Sequence, residues 1–377
     1  MKICDIVKNS IWYDPRVKKQ ISSYLDADVE LACIGVTDPR YKQEEVDKIP
    51  CKVDLVSIDE HYYGKKRTFF TKISRELKTN RGIYKKILEC KPDIIHANDL
   101  NALIPAYKAS KKLKCRLIYD THEIFLENPW IANNPAVKFV WGFYEKHIIK
   151  KVDLVVCVSN AAAEYLQEKY NIEKPTVVTN CISAKNHISE KVEKTEPKQI
   201  LNHGQFYGGR GYDIMIDAAP LLREFADLQV VLRGFGPMEE ELHNKAKGYD
   251  NVYFAPPVKV EELIPMASHA WVGLAITEAI SLNFKLSVSN KIFEYAAAGL
   301  PVIMSDIPEH RYLNEKYNFG IIIEKDTPEE IAKAVLALYN DKELYEKYAE
   351  NSKKLSCEVN WDNEFDKLLT LEKNMLN

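Results

Sequence analysis

The sequence predicts an α/β protein made of two Rossmann-like domains facing across a cleft, each a parallel sheet with helices on both faces. Three observations carry that expectation. Short apolar runs rich in β-branched residues, KICDIV, VELACIGV, CKVDLVSI, DIIHA, RLIYD, LVVCVS and TVVTN, recur between helical segments. Parallel strands are covered on both faces and joined by long crossovers, so they read as continuous apolar runs separated by helices. The alternation pauses at the polar stretch CISAKNHISEKVEKTEPKQ, residues 181–199, and restarts with ILNHG, LQVVLRG, NVYFAP, HAWVGLAI, PVIMSD and GIIIE. Finally, 377 residues exceed what one core usually organises, which places one domain over 1–180 and a second from 181 to 355. In such open sheets ligands bind beyond the carboxyl ends of the strands, so the cleft is the expected site.

Taken in order, KICDIV opens the chain as a strand and carries acidic Asp5 inside the first apolar stretch, which argues against a signal peptide and for a cytoplasmic protein. SIWYDPRVKK follows, with Asp14 and Arg16 near the mouth of the site; Asp14 also reads as a helix cap with Pro15 at the first helical position. KPDIIHANDL and RLIYDTHEIFLENPW each end a strand in polar residues: His96, Asn98 and Asp99, then Asp120, His122 and Glu123. An imidazole between carboxylates at a strand end suits acid–base or sugar-hydroxyl contacts, a structural histidine being the alternative. The tail from Thr327 reads as helices, with Thr327 as cap and Pro328 in the first turn.

Three segments of the second half carry chemistry. In SVSNKIFEYAAAGLPVI, residues 287–303, Ser289 or Asn290 caps a helix whose first N–H groups form an anion site. Lys291 adds positive charge for a diphosphate, and Glu294 is placed to accept hydrogen bonds from sugar or ribose hydroxyls; a merely solvated pair is the bland alternative. In ILNHGQFYGGRGYDIMIDAAPLL, a strand runs into Gly204, Gly208, Gly209 and Gly211, with Arg210 among the turn's N–H groups. Phosphate is the expected ligand, unless this is a plain glycine turn with a surface arginine. VVLRGFGP brings Gly234 and Gly236 to another strand end, where a base or diphosphate would rest.

Composition excludes several classes. Hydrophobic residues make up 46% and charged residues 28%, and no apolar run approaches membrane-spanning length. The net charge of −3 hides an asymmetry: residues 1–180 hold 30 Lys+Arg against 24 Asp+Glu, the rest 22 against 31. Only the first half therefore suits an anionic partner. Its basic stretch, residues 64–91, has ten Lys+Arg and two Glu, with Phe69, Phe70, Ile73 and Leu77 on one helical face. That stretch either lies on an anionic membrane surface or is a solvated helix packed by its apolar face. No helix-turn-helix, zinc or aromatic RNA-binding signature accompanies the charge, so nucleic acid is not expected. The eight cysteines show no metal or redox spacing and read as reduced, packed thiols. Asp26-Ala27-Asp28 imitates an Asp-x-Asp metal site, but it lies where a helix passes into the second strand; no metal and no cofactor are expected.

Together DPRVKKQISSYL, PDIIHANDL, LIYDTHE, DLVVCVSNAAAEYLQEKYNI, GRGYDIMIDAA, VVLRGFGP and NKIFEYAAAGLPVIMSD make the chain resemble, over nearly its whole length, a retaining glycosyltransferase of family four, of the GT-B fold. The resemblance implies transfer of a sugar from a nucleotide-sugar to an acceptor, with the anomeric configuration kept and no metal. The first half would bind the acceptor through Asp14, Arg16, Asp99, His122 and Glu123. The second would bind the donor through Gly204, Gly209, Arg210, Gly234, Gly236, Ser289, Asn290, Lys291 and Glu294. His122, Arg210, Lys291 and Glu294 would be catalytic: Arg210 on the donor phosphates, Glu294 on the ribose, His122 reaching the transferred sugar. The segment 356–377 would return to the first domain. Where the family has another glutamate, eight positions before the second, this chain has Leu286, and Gln205 stands where a second basic residue is expected. The acceptor is expected to be a growing glycan or a lipid-linked one in surface polysaccharide synthesis, with the enzyme peripheral on the inner membrane face. A nucleotide-sugar 2-epimerase of the same architecture and a non-catalytic nucleotide-sugar-binding protein are the alternatives.

Overall fold

The structure is a computed structural model and describes residues 1–9, 11, 14–37, 48–57, 69–188, 190 and 192–377. The chain divides into two compact units, Met1–Val178 with Phe365–Asn377, and Thr179–Glu364. The returning segment thus begins at Phe365, inside the last helix Trp361–Asn374, and residues 356–364 belong to the second unit.

The first unit is a sheet of seven strands, β1 (Lys2–Ile6), β2 (Glu30–Val36), β3 (Lys52–Val56), β4 (Ile94–Asn98), β5 (Arg116–Thr121), β6 (Leu154–Cys157) and β7 (Thr176–Val177), ordered β3-β2-β1-β4-β5-β6-β7. Every pairing is parallel. The chain starts at β1, steps outward to β3, then returns to β4 on the other side of β1. Strand order reverses there, and the carboxyl ends of β1 and β4 open a crevice. The helix Pro15–Asp26 starts as expected: Asp14 Oδ1 accepts from the amides of Arg16 and Val17, both at 3.1 Å, and Pro15 takes the first position. Its Tyr24 meets Phe365 of the last helix edge to face, 5.0 Å between centroids, and Leu368 is fully buried. The helix Phe69–Cys90 buries Ile83 and Ile87 but leaves Ile73 and Leu77 exposed at 41% and 65%, so those two do not pack inward. Residues 64–68 and the side chains of Phe69 and Phe70 lie outside the described residues.

The second unit has six parallel strands, β8 (Lys198–Gln205), β9 (Leu228–Phe235), β10 (Val252–Ala255), β11 (Val272–Ala275), β12 (Val302–Ser305) and β13 (Gly320–Ile323), ordered β10-β9-β8-β11-β12-β13. The reversal falls between β8 and β11. Ile200, Leu232, Val272 and Ile303 from the strands and Met215, Ile216, Val335 and Leu338 from the helices form its core. β8 and β9 stay paired to their ends, Gly204 against Gly234 and Gln205 against Phe235. A Cβ on Gly234 would lie 1.8 Å from the Gly204 carbonyl oxygen, and one on Gly236 would lie 2.6 Å from Phe206 N and O. Glycine at 234 and 236 therefore has a packing cause, the close approach of two backbones. All eight cysteines are free. Among the described residues no helix is long and apolar enough to cross a membrane.

Candidate functional site

In the second unit the reversal between β8 and β11 is lined by cationic side chains. The helix Asn290–Ala297 follows Ser289, which takes the extended N-cap conformation but makes no side-chain capping bond. Lys291, in the first turn, is only 6% exposed; its Nζ donates to Asn202 Oδ1 and sits 4.8 Å from the Tyr212 ring centroid. Asn202 Nδ2 in turn donates to the Arg210 carbonyl at 3.3 Å. One buried asparagine on β8 thus ties the lysine to the arginine-bearing turn.

That turn is fixed from the loop after β11. Gly209 and Gly211 adopt φ of +80° and +66°, and a Cβ on them would lie 2.7 Å from Ile280 Cδ1 and 2.4 Å from Ile276 Cγ2, so only glycine fits. Glu278 donates its amide to the Gly209 carbonyl at 3.2 Å and accepts the Gly211 amide on Oε1 at 3.2 Å. The Arg210 guanidinium lies 5.5 Å from the Phe284 ring centroid. Glu294 is held by His203 on β8, Nε2 to Oε2 2.7 Å; the His203 amide donates to Tyr295 Oη at 3.1 Å, and its ring lies 4.6 Å from that of Tyr295.

The electrostatics follow from the packing. Burial, reinforced by Arg210, lowers the Lys291 ammonium from 10.5 to about 7, with Glu294 only partly opposing. Lys291 is therefore not the standing surface charge that its first-turn position implied: without an anion beside it, it readily gives up its proton. Two cationic side chains, a glycine turn and a helix start without a side-chain cap form an arrangement suited to an anion.

The first unit's polar residues are arranged differently. Arg16, expected at the mouth of the site, is 3% exposed; its guanidinium donates to both oxygens of Asp120, at 2.9 to 3.3 Å, and to the Val178 carbonyl at 2.9 Å. It is a buried brace between the helix Pro15–Asp26, Asp120 on β5 and Val178. Asp14 is also committed, Oδ1 to its helix and Oδ2 to Asn9 Nδ2 at 3.0 Å. His96 is fully buried between Asp120 Oδ2, 3.3 Å from Nε2, and Glu372 Oε1 of the last helix, 3.4 Å from Nδ1. Burial alone would lower it, yet the two carboxylates raise it to about 10, which favours the imidazolium; Gln20 Nε2 at 3.0 Å and Tyr24 Oη at 3.3 Å complete its surroundings. Asp120 is held well below the usual carboxylate range, the burial penalty being overcome by Arg16, His122 and His96.

His122 lies at the upper edge of this network. Its Nε2 is 2.9 Å from Asn98 Oδ1 and 3.8 Å from Asp120 Oδ2, and its amide donates to Asp99 Oδ1 at 3.0 Å. Glu123 accepts from Asn128 Nδ2 at 3.1 Å. Burial raises the Asp99 carboxyl, and that of Asp5 to about 6.

The structure therefore gathers Arg210, Lys291 and Glu294 in one unit, and Asp99, His122 and Glu123 in the other. Sequence reasoning missed Asn202, His203, Glu278 and Glu372. Asn202 and His203 carried a signal, two polar residues closing an apolar strand just before a glycine. Glu372 carried another, a lone carboxylate three and four positions after Leu369 and Leu368 on the buried stripe of the last helix. Among the described residues no group of three or more His, Cys, Asp or Glu is placed to hold a metal ion.

Residues 197–341 match the family Glycosyl transferases group 1, and residues 20–185 match Glycosyltransferase Family 4. An uncharacterised glycosyltransferase of Haemophilus influenzae is 24% identical over 338 residues, 87% of this chain and 86% of that protein. The fold is shared with sucrose-phosphate synthase from Thermosynechococcus elongatus (TM-score 0.78, 14% identity, 100% of this chain and 99% of that one). It is also shared with Anabaena HepE in complex with UDP and glucose (TM-score 0.72, 16% identity, 99% of this chain and 100% of that one). With one half matching each family and the fold common to such proteins from end to end, the chain belongs to the group 1, family 4 glycosyltransferases of the GT-B fold.

Proposed function

We propose that this glycosyltransferase transfers a hexose from a nucleotide-sugar to a glycan or lipid-linked acceptor of a surface polysaccharide, retaining the anomeric configuration, without a metal, at the cytoplasmic face of the membrane. The observation that carries the donor side is the Lys291–Asn202–Arg210 cluster beside the start of the helix Asn290–Ala297. When the glycosidic bond to the donor breaks, negative charge grows on the departing diphosphate. Arg210, amides at the start of that helix and Lys291, reprotonated as the anion seats, stabilise that charge in place of a divalent cation. Glu294, aimed by His203, accepts from ribose hydroxyls. HepE, which shares the fold, binds UDP and glucose.

On the acceptor side Asp99, His122 and Glu123 would hold the incoming hydroxyl and the transferred sugar. The attacking hydroxyl would pass its proton to the leaving phosphate on the same face of the ring, which gives retention. The test is a thermal-shift screen of UDP-, GDP-, ADP- and dTDP-sugars, followed by transfer assays with the stabilising donor and proton NMR of the product. A stabilising donor, a retained anomer and loss of transfer in Arg210→Ala are expected. An inverted product, an epimerised donor formed without acceptor, or full activity in Arg210→Ala overturns the reading.

A further inference from the structure

The helix Pro135–Ile148 of the first unit is oriented opposite to what a soluble surface demands. Its one carboxylate, Glu145, is 3% exposed and accepts from Tyr119 Oη at 2.9 Å and from Tyr170 Oη. Large apolar side chains face outward instead: Phe139 is 76% exposed, Val140 52%, Phe143 53% and Tyr144 40%, while Trp141 packs against Phe125. Spacing of four puts Phe139 with Phe143, and Val140 with Tyr144, on one strip of the helix. Trp130, on the short preceding helix Pro129–Ala132 that packs against this one, is 58% exposed. Isolated exposed apolar residues are ordinary, but a run of adjacent aromatic ones marks an interaction surface.

The exposed charges along the helix and the turn that follows it have one sign. From 135 to 151 the exposed charged side chains are Lys146, Lys150 and Lys151, while Lys138 is paired with Glu127 at 2.8 Å. We propose that this face seats the protein on an anionic lipid surface, with Phe139, Phe143 and Trp130 in the interfacial layer and the three lysines against acidic headgroups. Charge complementarity selects the occupant. A second copy docked through the same strip would bring no exposed carboxylate of that helix to the lysines, since Glu145 is buried, whereas an anionic bilayer meets both the aromatic and the basic parts. The inference deepens the membrane placement proposed above and moves its centre from 64–91 to 130–151. Because lipid binding needs no donor, its failure is distinguishable from failure of the transferase reading.

The experiment is co-sedimentation of the full chain with phosphatidylcholine vesicles, with and without phosphatidylglycerol, at low and high salt. Binding should be on the order of a hundredfold tighter with phosphatidylglycerol, as expected for three lysines near the surface, and should weaken with salt. Phe139→Ser with Phe143→Ser should abolish it while melting temperature and nucleotide binding stay unchanged. Lys146→Glu, Lys150→Glu and Lys151→Glu together should remove the preference for anionic lipid. Absence of wild-type binding, unchanged binding in the phenylalanine variant, or a dimer in solution that this variant dissociates would each overturn the proposal.

Discussion

His96 in the first unit and Lys291 in the second are both buried basic side chains at a reversal of strand order, and their basicities shift in opposite directions. Burial pushes each toward neutrality. His96, the weaker base, keeps its proton up to about pH 10 because Asp120 and Glu372 flank it. Lys291, the stronger base, gives it up near 7, because its hydrogen-bond partner is an uncharged amide and Arg210 stands close by. The first site is thus closed on its own charges, whereas in the second Lys291 is held by an uncharged amide beside Arg210, so an added anion would restore its proton. One arrangement holds a fold rigid; the other stores affinity.

The contrast can be broken most forcefully at Asp120. Asp120→Ala takes the carboxylate from buried Arg16 and leaves His96 with Glu372 alone, and should cost about 3–5 kcal/mol in chemical denaturation, the range for breaking a buried pair; a loss near zero would show that the network is not closed on itself. At the open site, Arg210→Ala should lower turnover roughly 10²–10³-fold, the scale of losing one preorganised group on a developing charge, with little change in melting temperature.

Glu372→Gln sharpens the first half through its pH dependence. His96 has its pKa raised from 6.5 to about 10, so its stabilisation is complete below pH 6.5 and fades as pH climbs toward 10. The variant should therefore be weaker by roughly 1–3 kcal/mol at or below pH 6.5, the deficit shrinking toward pH 10; a deficit that grows with pH contradicts the imidazolium. The smallest effect is at His203. His203→Phe keeps a ring against Tyr295 but releases Glu294, and donor KM should rise by roughly three- to tenfold, about one hydrogen bond's worth, with kcat less affected. Equal losses in both would place Glu294 in the chemical step instead.

How much of this was legible follows from which contacts are local. The two parallel sheets were readable because strands buried on both faces must be apolar throughout, and Arg210, Lys291 and Glu294 because glycine turns and helix starts are local features. The burial of Arg16 was not, since its partner Asp120 lies 104 residues away and nothing near Arg16 announces it. Nor was the lowered basicity of Lys291, set by burial and by Arg210 on another element, 81 residues away. The helix Pro135–Ile148 shows the limit clearly: its periodicity says that one face differs from the other, but only Tyr119 and Tyr170 decide that Glu145 turns inward and the phenylalanines outward.

The most direct measurement is calorimetric titration of UDP, GDP and ADP into wild type and Lys291→Met, from about pH 6 to about pH 8.5, in buffers of differing ionisation enthalpy. A diphosphate seated beside Lys291 restores its charge, so binding by the wild type should take up a proton above about pH 7 and weaken by up to about tenfold per pH unit, one pKa unit being about 1.36 kcal/mol. Both the uptake and the slope should vanish in Lys291→Met. Binding with the same affinity and proton count in the two proteins, or no nucleoside diphosphate binding at all, would contradict the anion site.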